Sequence, residues 1–172
     1  MGLRMVNWSM QTCDNGIRTG GAMVQLSVAL LGEFQSTLAG IPITAFESDK
    51  TRALLIYLAA EPRAHRRTQL ADLLWPGMPE GSARHNLSQA LFNLREAIGD
   101  RTATPPFLLS SRDTIQFNPA SDHTVDVTRF TTLLAACDSH THAQLESCYD
   151  CAPRLQQAGD LYQGDFLAHF FL

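Results

Sequence analysis

The sequence lacks the features that mark enzymes and membrane proteins. It contains no Gly-rich phosphate loop, no Ser-centred elbow and no His-Glu-x-x-His motif, and its scattered acidic residues form no obvious catalytic pair. No stretch reaches the ~18 consecutive apolar residues that a membrane-spanning helix needs. No continuous apolar run follows Arg4, as one would in a secretory signal peptide. We therefore expect a cytoplasmic protein that is neither an enzyme nor bound to a membrane.

Charged residues are also scarce, at 17% of the 172 residues, and the formal net charge is −4. This balance argues against a generic polycation that coats nucleic acid. The charge is unevenly distributed, however, because residues 50–112 carry a net charge of +4 and residues 113–172 a net charge of −6. Such asymmetry favours a modestly basic binding module followed by an acidic one.

The pattern of the first two thirds of the chain predicts an α+β domain. Residues 1–22 are polar and without periodicity, so we expect a disordered extension there. In the predicted domain, residues 23–118, three short strands precede three helices, and a hairpin follows. The strands are predicted over 24–31, 34–38 and 43–46, the helices over 48–60, 68–75 and 82–99, and the hairpin strands over 107–110 and 114–117. This order matches a winged helix: an N-terminal antiparallel sheet, three helices and a C-terminal β-hairpin wing.

The last third of the chain is predicted to be helical. Residues 119–125 look like a linker, and Asp126 can cap the helix that follows. Further helices are expected over 152–163 and from Gly164-Asp165 to Leu172. Because the chain ends inside an apolar run, we expect residues 126–172 to be the first, truncated part of a larger helical domain.

The helix predicted over Ser82–Gly99 has a distinctive outer face. Ser82 is a candidate N-cap, and Gly99 can take the left-handed conformation that ends a helix. Apolar residues recur along one side at helical spacing. The opposite side carries Arg, His, Asn, Gln and Ser, the side chains that reach base edges and phosphates in a major groove. The alternative is an ordinary amphipathic helix.

Four cysteines occur in the chain, and three of them form a cluster with two histidines. Cysteines of a cytosolic protein are more often thiols or metal ligands than disulfides. The cluster predicts a closed structural zinc site with three thiolates and one imidazole, formed by Cys137, His142, Cys148 and Cys151, with His140 as the alternative ligand. Two other interpretations stay open: core cysteines with surface histidines, or a redox-sensing Cys148/Cys151 pair.

Several stretches together resemble a known family. They are residues 30–34 (LLGEF), 50–55 (KTRALL), 70–76 (LADLLWP), 83–87 (ARHNL) and 94–99 (LREAIG). They resemble the OmpR-type winged-helix domain of antibiotic-regulatory-protein-like (SARP-like) transcriptional activators. Residues 126–130 (DVTRF) and 161–167 (LYQGDFL) look like the start of the bacterial transcriptional activator domain, a helical-repeat module that follows it. The resemblance covers about 150 residues of the chain.

The resemblance implies that the chain binds double-stranded DNA to regulate transcription. The helix over 82–99 would enter the major groove, and the basic loop and the hairpin tip would contact the backbone. The implied DNA-binding residues are Arg66, Arg67, Thr68, Arg84, His85, Ser88, Gln89, Phe92, Asn93 and Arg112. Arg66, Arg67 and Thr68 would hold phosphates, Arg112 a phosphate or the minor groove, and Phe92 a thymine methyl group. The alternative for the first three residues is a solvated loop. For Arg112 it is a solvated turn, and for Phe92 a partly buried residue at the edge of the core.

Further partners expected from this interpretation are a second copy of the chain and RNA polymerase. The competing interpretation is a protein-interaction or thiol-redox-sensing module that uses the Cys/His cluster.

Overall fold

The computed structural model describes residues 25–141, 145 and 148–170, and it begins with a small sheet. Strand β1 (Leu26–Ala29) pairs antiparallel with β2 (Gln35–Leu38), which pairs antiparallel with β3 (Ile41–Pro42). On its other side, β1 pairs in parallel with β7 (His123–Val125). The strand order is therefore β3-β2-β1-β7. Leu26 and Val28 alternate with half-buried residues and are buried, so one face of β1 covers the core.

Three helices follow these first strands: α1 (Asp49–Ala60), α2 (Arg67–Leu74) and α3 (Glu80–Ala97). Helix α1 begins after Ser48, whose Oγ accepts a hydrogen bond of 3.2 Å from the backbone N–H of Thr51. Gly99 follows the end of α3 with a φ of +65°. Leucines on one side of each helix share the core of the domain; they are Leu54, Leu55, Leu58, Leu70, Leu74, Leu87 and Leu94.

A second sheet connects α2 with the hairpin that follows α3. It contains β4 (His65–Arg66), β6 (Thr114–Phe117) and β5 (Leu108–Ser110), in that order. In the β4–β6 pair Arg66 lies opposite Thr114. The first residues of α2 are therefore held next to the turn of the β5–β6 hairpin.

Helices α4 (Asp126–Asp138) and α5 (Ala152–Leu161) pack against each other and lie beside the first sheet. β7 leads directly into α4. After α5 the chain returns to the end of β1, where the Leu167 N–H donates to the Leu30 carbonyl at 2.8 Å and Phe166 forms a β-bridge with Leu31. Residues 164–170 are thus held by main-chain bonds to the N-terminal sheet.

The mixture of sheets and helices predicted from the sequence is confirmed, but several details were wrong. The third strand is Ile41–Pro42 rather than 43–46. Ser82 is not an N-cap, since α3 starts after Pro79 without a side-chain cap, and α2 starts at Arg67 rather than at residue 68. Asp126 is the first residue of α4, not its N-cap.

Two predictions for the last third of the chain were also wrong. The linker predicted over 119–125 ends in β7, because residues 123–125 find a partner in β1. The helix predicted from Gly164 is absent over residues 164–170, where Leu167 and His169 have positive φ and the backbone bonds to residues 30–32, just beyond β1, instead. The extension predicted over 1–22 and residues 171–172 lie outside the described residues. The division into a domain over 23–118 and a helical domain from residue 126 stays a prediction.

Candidate functional site

The buried and exposed sides of α3 are those that the helical spacing of its apolar residues predicted. Ala83, Leu87, Ala90, Leu91 and Leu94 are buried against the core, as predicted. His85, Ser88, Gln89 and Phe92 are exposed on the other side, and Asn93 is half-buried between the two.

Two side-chain hydrogen bonds order this face. The Gln89 amide donates to Asn93 Oδ1 at 3.0 Å, and Ser88 Oγ donates to the Arg84 carbonyl at 2.9 Å. The Phe92 ring is 49% exposed and lies 4.7 Å from the guanidinium carbon of Arg101, which is a cation–π contact. The face is therefore a polar surface with one half-exposed aromatic ring.

A cleft lined by arginines lies beside this face. It has a volume of about 360 Å³ and is lined by Arg66, Arg67, Thr68, Arg84, Arg112, Asp113 and Thr114. An adjoining cleft of about 220 Å³ shares Arg67, Arg84 and Arg112 and adds Ser88 and Ser111. We call these two connected spaces the arginine cleft. The structure thus brings together six predicted site residues from β4, α2, α3 and the hairpin turn: Arg66, Arg67, Thr68, Arg84, Ser88 and Arg112.

Arg67 lies at the centre of the arginine cleft and is held by the hairpin turn. Its backbone N–H donates to the Asp113 carbonyl at 2.9 Å, and its Nε donates to the Ser111 carbonyl at 3.0 Å. Burial lowers the pKa of Arg67, and the positive charges of Arg95 and Arg84 lower it further. These guanidinium groups therefore stand close enough to repel one another, and an anion between them would relieve the repulsion.

Only part of this positive charge is neutralised within the protein. Arg84 pairs with Glu80 at 3.5 Å, but both side chains are more than half exposed. Within the part of the chain that the structure describes, Arg66, Arg67 and Arg112 form no ion pair. An exposed ion pair contributes little and yields readily to another anion.

The cysteine–histidine cluster lies between α4 and α5. The His140, Cys148 and Cys151 side chains present ligand atoms that all lie within 4.8 Å of one another, so this group can hold a metal ion. His140 Nδ1 is 3.2 Å from Cys151 Sγ and 3.4 Å from Cys148 Sγ. Cys137 is buried next to Cys151, with its Sγ 3.9 Å from the Cys151 carbonyl oxygen. His142 lies outside the described residues, and the predicted alternative, His140, is the histidine that the structure places beside the sulfurs.

The two cysteines of the Cys148-x2-Cys151 pair differ in acidity. Burial raises the pKa of Cys151 to about 11, and its hydrogen bonds with Cys148 and Cys137 act in the same direction. Burial also acts to raise the pKa of Cys148, but hydrogen bonds from the backbone and side chain of Cys151 outweigh it and leave this pKa below its usual value.

Sequence reasoning missed three residues that shape these sites. Arg95 contributes positive charge beside Arg67, and Ser111 holds the Arg67 side chain through its carbonyl group. Asp150 Oδ2 lies 3.7 Å from His140 Nε2. The position of Asp150 between Cys148 and Cys151 was a usable signal. The other two contacts depend on the tertiary fold.

No described helix is both long and apolar enough to cross a membrane.

The comparisons with known proteins rest on structure. No known protein-family model matches the sequence, and no curated protein matches it. Among solved structures, the chain is similar to Mycobacterium tuberculosis EmbR, whose structure is a complex with a low-affinity phosphopeptide. The TM-score is 0.63 and the sequence identity 24%, over 83% of this chain. The match spans 37% of the EmbR chain, so the protein shares the fold of part of EmbR.

Proposed function

We propose that this chain is the DNA-binding part of a SARP-like transcriptional regulator, which acts in the cytoplasm and catalyses no reaction. The first three helices and the β5–β6 hairpin would be an OmpR-type winged helix. In that arrangement α3 enters the major groove, α2 crosses the backbone and the hairpin is the wing. The observation that carries the proposal is the arginine cleft, where cationic side chains of α2, α3 and the hairpin turn meet. The fold shared with EmbR supports it.

The arginine cleft has the chemistry of a phosphate site. Its guanidinium groups can each donate two parallel hydrogen bonds to phosphate oxygens. The hydroxyl group of Thr68 is an additional donor at its wall. Phosphate contacts of this kind position a protein on DNA without reading the sequence.

The neighbouring face of α3 has the chemistry needed to read bases. The linked amides of Gln89 and Asn93 present both donors and acceptors, as the edge of adenine requires. The exposed ring of Phe92 can contact a thymine methyl group. Because this face adjoins the arginine cleft, one orientation on DNA would bring α3 to the bases and the arginine cleft to the phosphates.

The test is a fluorescence-anisotropy titration with a mixed-sequence duplex at low and near-physiological salt. We expect binding that falls steeply with salt concentration. Arg66→Ala and Arg112→Ala, which alter exposed side chains without an ion pair, should each reduce the slope of log K against log salt by about one unit. Arg129→Ala is the control, because Arg129 is an exposed residue of α4 and lies outside the arginine cleft.

The absence of binding at low salt would overturn the proposal. So would equal losses of affinity in Arg129→Ala and Arg66→Ala, since the effect would then be one of net charge alone. A homodimer and RNA polymerase stay predicted partners.

For the Cys/His cluster we propose zinc as the metal ion, with a structural role. Thiolates and a neutral imidazole are the ligands that zinc prefers in closed tetrahedral sites. The rival function, thiol-redox sensing, is favoured by the proximity of Cys148 and Cys151, whose Sγ atoms lie 3.4 and 3.2 Å from the same His140 nitrogen. Reversible oxidation of Cys148 and Cys151 that changes partner binding would support that rival.

A further inference from the structure

The ligand candidates for this zinc ion come in two pairs, each with two residues between its members. Cys137 and His140 lie at the end of α4, and Cys148 and Cys151 lie just before α5. Residues three apart in a helical turn project from the same side, so each pair can bind one ion. The two pairs therefore approach the ion from the two helices of one packed hairpin.

The observed distances suit a tetrahedral zinc site. With Zn–S and Zn–N bonds of ordinary length, an imidazole nitrogen and a sulfur on the same ion lie about 3.6 Å apart. The distances from His140 Nδ1 to Cys151 Sγ and Cys148 Sγ are 3.2 and 3.4 Å. A small expansion of this triangle is enough to bring all three atoms to bonding distance of one ion.

The other nitrogen of the His140 ring faces a carboxylate. His140 Nε2 is 3.7 Å from Asp150 Oδ2. A histidine that binds a metal through one nitrogen usually donates the N–H of the other to a carboxylate or carbonyl group, which fixes its tautomer and orientation. Asp150 is placed for this role, with Nδ1 left to the metal.

Cys137 is placed to supply the fourth ligand. It is 3% exposed and is the one fully buried residue among the described residues of α4. Its Sγ lies 3.9 Å from the Cys151 carbonyl oxygen, on the buried side of the cluster. The Cys137 side chain also forms a hydrogen bond with that of Cys151, so its sulfur borders the group of ligand atoms.

We propose that Cys137, His140, Cys148 and Cys151 form a closed zinc site that joins the end of α4 to the start of α5, with Asp150 orienting His140. This inference depends on zinc binding but not on DNA binding. It assigns the fourth position to Cys137 rather than to a water molecule or to His142, and so it leaves no open position for catalysis.

The packing of the helical hairpin explains why it would need such a site. Among the described residues, α4 and α5 fully bury only Cys137 and Ala158. The larger apolar residues of both helices are only half-buried; they are Phe130, Leu133, Leu134, Leu155 and Leu161. A pair of short helices with so small a core gains much of its stability from a metal ion.

The experiment measures metal content and the spectrum of the cobalt-substituted chain. The whole chain, purified in the presence of zinc, should contain one zinc ion. After exchange with Co²⁺, the sulfur-to-cobalt charge-transfer band should have the intensity of three thiolates. Cys137→Asp keeps a ligand at that position, so it should still bind one ion while the band falls by about a third. This variant separates ligation by Cys137 from a loss of folding.

Matched controls exist for each type of ligand. Cys13→Ser should leave metal content and spectrum unchanged, because Cys13 is distant from the cluster in sequence. His140→Asn should lose the ion, whereas His142→Asn and His169→Asn should keep it. His169 already has a left-handed backbone, which asparagine tolerates.

The outcomes distinguish failure of the zinc proposal from failure of the ligand assignment. A chain that binds neither zinc nor cobalt would overturn both, and a Cys148–Cys151 disulfide in that chain would favour the redox alternative. A bound ion with the intensity of two thiolates, unchanged by Cys137→Asp, would overturn the role of Cys137. Loss of the ion in His142→Asn but not in His140→Asn would overturn the role of His140. None of these results would bear on the titration with DNA.

Discussion

The carboxylate of Asp126 accepts a hydrogen bond from the backbone N–H of Leu30, 96 residues earlier in the chain, at 2.8 Å. It accepts a second bond of 2.8 Å from the N–H of Leu31. Asp126 is also the first residue of α4, where a negative charge is favoured by the free N–H groups of the helix. The Asp126 side chain thus accepts hydrogen bonds from the main chain just beyond β1 and also places a negative charge at the start of α4.

We predict that Asp126→Ala destabilises the protein by about 1–3 kcal/mol, because it leaves two half-buried N–H groups without an acceptor. Urea unfolding followed by circular dichroism measures the free energy of unfolding. Asp138→Ala is the control, since Asp138 is exposed at the other end of α4, where a negative charge is unfavourable. If Asp138→Ala destabilised the chain as much as Asp126→Ala, the special role of Asp126 would be refuted.

A second carboxylate connects α3 with the hairpin. Asp100 is 4% exposed, accepts a hydrogen bond of 2.9 Å from the Leu108 N–H and lies 3.3 Å from Arg95 Nε. We predict that Asp100→Ala lowers the free energy of unfolding by about 2 kcal/mol, because a buried N–H group loses its acceptor and the half-buried Arg95 loses its ion-pair partner.

The matched control for Asp100 is Glu96→Gln. The Glu96–Arg101 ion pair is shorter, at 2.7 Å, but both of its side chains are about half exposed. Its loss should cost at most about 0.5 kcal/mol, since water replaces the partner. Thermal unfolding of both variants measures the two losses of stability. An equal loss would contradict the expectation that the buried Asp100 carboxylate stabilises the protein more than the exposed Glu96 carboxylate.

The sequence predicted correctly those helices and strands that are determined by residues close to one another in the chain. The strand over 114–117 and the start of the helix predicted over 48–60 were correct, because the alternation of Ile115 and Phe117 and the Ser48 hydroxyl act within a few residues. The buried side of α3 was correct for the same reason. The apolar stripe of one long helix determines which side meets the core.

The errors fall where distant residues decide the local structure. β7 and β4 are short strands that exist through pairing with β1 and β6, and their sequences carry little signal of their own. Residues 164–170 have the composition of a helix, but the N–H groups of Leu167 and Ala168 bond to the main chain just beyond β1. Six residues of the arginine cleft were candidates from a family resemblance, but their meeting in one cleft and the position of Arg95 near Arg67 required the fold.

The proposed base-reading face of α3 makes a prediction separate from that of the arginine cleft. Gln89→Ala should reduce the preference for a duplex selected from a random library over a mixed-sequence duplex by about 1–3 kcal/mol. It should leave the salt dependence unchanged, because no phosphate contact is lost. Anisotropy titrations of both duplexes at several salt concentrations measure both quantities. A change in the salt slope with unchanged preference would place Gln89 on the backbone instead.

The turn after α3 sets the direction in which the chain leaves for the hairpin. Gly99 has a φ of +65°, and an added Cβ would lie 3.0 Å from Leu38 Cδ2 of β2. We predict that Gly99→Ala destabilises the protein by about 1–2 kcal/mol, because alanine is strained in this conformation and presses on Leu38. Gly81→Ala should instead stabilise it by about 0.5–1 kcal/mol, since Gly81 lies in α3 with open space around it. Thermal unfolding of the two variants should therefore give shifts of opposite sign, and a stabilised Gly99→Ala would show that this turn tolerates a side chain.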